Sequence, residues 1–216
     1  MSATPTVGAR GAAVIVLLAL AGTLIPLKFG ALFLDPAILL AYTGIAILLA
    51  SNFTVQGVVG SAEFAAVRRA ALRGALHGWV CWAAVLGASL VALSYWRGRV
   101  SLPPALMLAA LAWLALAAAW LASCLAAVAA LNVATVKAAR DLMRLGFFFV
   151  LLVVVAGPRF LPPEWQRGLS RFLTGPRLAP AMFFTGLMFL PAGWGLLRHA
   201  RTLMADHALR LSIERE

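Results

Sequence analysis

The side chains able to do chemistry are few and scattered. Three histidines (His77, His199 and His207), two cysteines (Cys81 and Cys124) and seven acids supply the imidazoles, thiols and carboxylates of the chain. His77 stands beside Trp79 and Trp82 at the head of an apolar run. An imidazole there could ligate haem or a metal, a role that draws further ligands and outer hydrogen-bond partners; the plainer role is a histidine at a membrane interface. Cys81 and Cys124 both fall inside apolar runs, which suits packed thiols better than a redox pair or a disulfide framework. A proton-coupled carrier often places a carboxylate near mid-membrane. Asp35 and Glu164, however, stand at expected helix starts, where capping is the ordinary role of an acid. No GxxxxGK(S/T), HExxH, Cys-x-x-Cys or GxSxG run occurs, so the chain is expected to be no enzyme and to hold no cofactor or metal of its own.

The elements that carry these residues are read from hydropathy. Apolar residues make up 63% of the 216 positions and charged residues 12%, against about 45–50% and about 25% in soluble domains. Each bilayer crossing needs about 20 predominantly apolar residues. The expected fold is therefore all-α, a polytopic membrane bundle forming one transmembrane domain over 1–216. Six spans are expected at about 11–27, 36–56, 75–95, 103–133, 142–157 and 178–197, followed by a helical cytoplasmic tail over 198–216. The first run is expected to remain as a helix, since several further apolar runs follow it. A net charge of +11 is compatible with nucleic-acid binding, but the eighteen Lys and Arg form no basic tract. Membrane lipids with anionic headgroups are the expected partner, and nucleic acid is not.

Local signals then place the connections. Asp35-Pro36 marks a helix start. The segment from Ser51 to Gly74 carries Arg68, Arg69 and Arg73 against the single acid Glu63; it reads as a cytoplasmic connector containing a short amphipathic helix at the membrane surface. In the fourth span Ala115, Ala119, Ser123 and Ala127 form a stripe of small residues, a face that lets helix backbones approach closely in the bundle or between subunits. Lys137, Arg140 and Arg144 mark a second inner connector. Pro162-Pro163-Glu164 opens, and Gly175-Pro176 closes, an outer interfacial or re-entrant helix with Trp165, Leu169, Phe172 and Leu173 on one face. Pro191 predicts a kink in the sixth span. Eleven basic residues fall on the face holding both termini and seven on the other, which places both termini in the cytoplasm. Trp113, Trp120, Phe183, Phe184 and Phe189 suit either a path for an apolar substrate or packed and lipid-facing aromatics.

SAEFAAVRRAALRG between spans two and three, PPEWQRGLSRFL between spans five and six, and six spans without a nucleotide motif together resemble the permease subunits of ABC-2-type exporters. The compact haem-exporter B subunits have a similar plan. The resemblance implies a membrane-spanning permease that forms the translocation path of an ATP-driven exporter in a bacterial inner membrane. It also implies a second permease copy or homologue and separate ABC ATPase subunits, which carry the ATP and Mg. Glu63, Arg68, Arg69 and Arg73 would then form the coupling contact. The alternative is a non-catalytic assembly subunit of a larger respiratory or photosynthetic complex.

Overall fold

A computed structural model describes residues 36–58, 61, 63–97, 105–132 and 160–213, with single positions at 138, 141 and 145. Five helices occur among the described residues: α1 (Pro36–Val58), α2 (Phe64–Arg97), α3 (Ala105–Asn132), α4 (Pro163–Thr174) and α5 (Leu178–Ile213). No strand is present among them. In lipid, a helix satisfies its own backbone polar groups. The Leu- and Ala-rich composition of α3 adds high intrinsic propensity. In the second half of α1 the polar side chains are satisfied by bonding back along the same helix. Ser51 Oγ donates to Ile47 O at 2.7 Å, Asn52 Nδ2 to Leu48 O at 2.8 Å and Thr54 Oγ1 to Ala50 O at 2.8 Å.

Among the described residues, three helical stretches are long and apolar enough to cross a membrane: Phe64–Val91, Ala105–Asn132 and Leu178–Ala205, with a shorter apolar stretch at Thr43–Val58. This is not the expected six. The expected spans at 11–27 and, apart from Leu145, 142–157 lie outside the described residues, as do the connector's Lys137, Arg140 and Arg144.

The connector before the third span also differs from expectation. It is not a separate helix at the surface; Phe64–Arg97 is one helix of 34 residues. At about 1.5 Å per residue it is about 51 Å long, well beyond the about 30 Å of hydrocarbon it would cross. Hydropathy changes along it, but no proline interrupts the backbone, and its first turns are held by burial of Val67 and Ala71. Its charged start is therefore the first turns of one long helix and not a separate element.

α3 is central and touches α1, α2 and α5. α1 and α2 run antiparallel, with Gly57 against Ala70 at one end and Gly78 against Ala46 and Ala50 further along. α2 and α3 also run antiparallel, with Gly74 facing Ser123 and Trp79 Nε1 donating to Ala112 O at 3.0 Å. α3 and α5 run parallel: Trp113 Nε1 donates to Phe183 O at 3.1 Å and Trp120 Nε1 to Leu190 O at 3.3 Å. The main core gathers Ala46, Ala50, Trp82, Leu111, Ala115 and Met182 from all four long helices. A smaller cluster of Val58, Val67 and Ala127 closes the end near the start of α2. α5 continues unbroken through Pro191 and into the expected tail as far as Ile213.

Candidate coupling surface and packing faces

The start of α2 separates its residues by angle. Val67 and Ala71 are fully buried, while Arg68, Arg69 and Arg73 are exposed on the other side. Two apolar residues, Leu72 and Leu76, are about half exposed among the arginines, so this face is basic and partly apolar. Glu63 is exposed immediately before the helix, and its carbonyl accepts from Ala66 N at 3.0 Å and Val67 N at 3.3 Å. A carboxylate there complements the positive end of the helix dipole. Arg69 Nε donates to Ala65 O at 3.2 Å, which lays that side chain along the helix. The four residues expected to form a coupling contact thus share one exposed helix end.

α5 returns to this same end. The Arg201 guanidinium carbon lies 6.0 Å from the centroid of the Phe64 ring, within cation–π range, and Arg198 and Arg201 are both exposed. The basic surface therefore draws on two helices. This second contribution was hidden in the sequence because Phe64 and Arg201 are far apart along the chain.

The small-residue stripe of α3 is fully buried at all four positions, Ala115, Ala119, Ser123 and Ala127. It faces the chain's own helices: Ala115 and Ala119 belong to the main core and Ala127 packs with Val58 and Val67. Ser123 Oγ is 3.2 Å from where a Cβ on Gly74 would stand, and that Cβ would also meet Thr54 Oγ1. The close approach of α1, α2 and α3 at this level requires the missing side chain at Gly74. Ser123 Oγ and Trp82 Nε1 are buried without a hydrogen-bond partner.

The aromatic residues are divided between packing and open surface. The Trp113 ring stacks on Phe183 with centroids 5.7 Å apart and lies where a Cβ on Gly186 would stand; Trp120 occupies the same relation to Gly193. The shared seven-residue spacing of 113/120 and 186/193 was present in the sequence as a pairing signal. Phe189 packs against the main core, whereas Phe184 is exposed.

His77 is exposed, and its Nδ1 donates to Arg73 O at 2.7 Å, since a carbonyl can only accept. Its ring lies 5.3 Å from Phe53. Cys81 and Cys124 are free thiols, both buried. Among the described residues no group of three or more His, Cys, Asp or Glu side chains is placed to hold a metal ion. Glu164 is exposed in the first turn of α4 and makes no side-chain cap there.

No known protein family, curated protein or solved structure matches the chain.

Proposed function

We propose that this chain is the membrane-spanning permease subunit of an ATP-driven exporter, coupled at the start of α2 to a separate ATPase subunit. The observation that carries this reading is the continuity of α2. The exposed Glu63, Arg68, Arg69 and Arg73 lie at one end of a helix whose later turns, through Trp82 and Val85, belong to the main core. A partner that moves the Arg-bearing end moves a rigid rod through the bundle, which is what coupling requires of a two-state element. The substrate in this reading is lipid-like or amphipathic and leaves outward.

The same reading takes six crossings in a bacterial inner membrane with both termini cytoplasmic. The parallel course of α3 and α5 supports the fifth crossing, because the chain must return across the layer between Asn132 and Leu178. The excess of basic residues on the α2-start face supports its cytoplasmic placement. A second permease copy completes the path. An assembly subunit of a larger membrane complex is the competing reading, and it draws on the exposed apolar stripe of Phe184, Met188 and Trp194 along α5.

The test is ATP-dependent movement of fluorescent lipid analogues in vesicles carrying the chain with its co-purified subunits. Glu63→Lys and Arg68→Glu are expected to insert normally and to lose transport. Normal transport by both variants overturns the coupling role.

A further inference from the structure

The outer segment opens at Phe160, which is 86% exposed, and α4 buries no residue. The polar and apolar residues of α4 are nonetheless cleanly divided. At 100° per residue, Trp165, Leu169, Phe172 and Leu173 fall on one side and Gln166, Arg167, Ser170 and Arg171 on the other. Part of the apolar side is used internally, since Leu173 packs against the main core. The remainder is open: Trp165 is 69% exposed and Phe172 40%. With Leu161 and Leu169 they line a shallow concavity.

The position of this helix relative to the bundle identifies what covers it. Gly175, Pro176 and Arg177 join α4 to α5, whose first residue, Leu178, is buried in the core. From Leu178 to Arg201, at the level of the α2 start, α5 rises about 35 Å, close to the about 30 Å thickness of a hydrocarbon layer. α4 is therefore one bilayer thickness from the Arg68–Arg69–Arg73 end, at the opposite boundary of the same layer. Arg167, Arg171 and Arg177 are all exposed there, against the single acid Glu164.

We propose that α4 lies in the plane of the far leaflet's interface, with Trp165 and Phe172 in the acyl boundary and Arg167, Arg171 and Arg177 on anionic headgroups. An apolar face at the acyl boundary with a basic face toward the headgroups is the arrangement of an interfacial helix, and juxtamembrane arginines add attraction to an anionic surface. The Leu173 contact ties the helix to the main core, so the lipid composition of that leaflet acts on the outer end of the bundle. This contact requires only that the chain spans the membrane and does not depend on ATPase coupling.

The experiment places nitroxide labels at Phe172→Cys and, separately, Ser170→Cys in the full chain, reconstituted in phosphatidylcholine alone or with added phosphatidylglycerol. The identically treated parent chain, with its buried Cys81 and Cys124, sets the background. The label at 172 is expected to be open to oxygen and shielded from an aqueous nickel chelate, and the label at 170 the reverse. Added phosphatidylglycerol deepens the label at 172, and Arg167→Gln with Arg171→Gln abolishes that response; all four polar positions are exposed, so these changes leave the core untouched. Equal aqueous access at 170 and 172 overturns the proposal. So does shielding of both, which marks a helix covered by protein. Identical depth at 172 in the two lipid compositions overturns the headgroup contact.

Discussion

The Trp113 indole donates a hydrogen bond to the Phe183 carbonyl at 3.1 Å, and the same bond recurs one heptad on, from Trp120 to Leu190 at 3.3 Å. Each ring fills the space above a glycine, Gly186 or Gly193. The repeated register fixes α3 and α5 as parallel neighbours. A tryptophan buried against a helix needs both a partner for its N–H and room for its ring; here a backbone carbonyl supplies the first and a glycine the second.

Gly186→Val and Gly193→Val are therefore expected to destabilise the protein by about 1–3 kcal/mol each, the usual cost of forcing bulk into a packed contact. Thermal unfolding in mild detergent measures it. Gly195→Ala is the control, because nothing lies within 4 Å of a Cβ there, and it should be neutral or stabilising by up to about 1 kcal/mol.

The α1–α2 contact makes a parallel prediction. A Cβ on Gly78 would lie 2.8 Å from Ala50 N, a backbone atom that cannot rotate away. Gly78→Ala should lower the unfolding temperature, while Gly87→Ala, in open space, should not. Equal effects at both positions would contradict the close crossing.

Much of the layout was legible in the sequence and some of it was not. Pro162-Pro163 and Gly175-Pro176 bounded a helix that runs from Pro163 to Thr174, and the Ala-rich fourth run became α3, Ala105–Asn132. Prolines and glycines act on the local backbone, so their signal survives folding. The continuity of α2 was missed because the arginines of its first turns change the preferred medium without interrupting the helix. Val67 and Ala71 looked like half of a surface helix, but the cluster that covers them comes from α1, α3 and α5. The inward direction of the Ala115–Ala127 stripe was likewise open, since a small-residue face suits an internal and an intersubunit contact equally.

Sidedness gives a direct prediction. Cysteines introduced at Glu63 and at Arg177, both exposed, should react with a membrane-impermeant maleimide from opposite sides of sealed vesicles. Labelling of both from one side would contradict the separation of the α2 start from α4.

The native thiols should be silent in the same assay. Cys81 and Cys124 are buried, so alkylation is expected to be slow in mild detergent and complete within the mixing time after denaturation in SDS. Fast reaction of either thiol in the folded protein would contradict its packed position.

Co-purification of the tagged chain in mild detergent, with subunits identified by mass spectrometry and ATPase activity measured, tests the central claim most directly. The account predicts a stoichiometric partner bearing GxxxxGK(S/T), retained by the native chain and lost on Arg68→Glu with Arg69→Glu. Co-purification with electron-transfer subunits and no ATPase would contradict it.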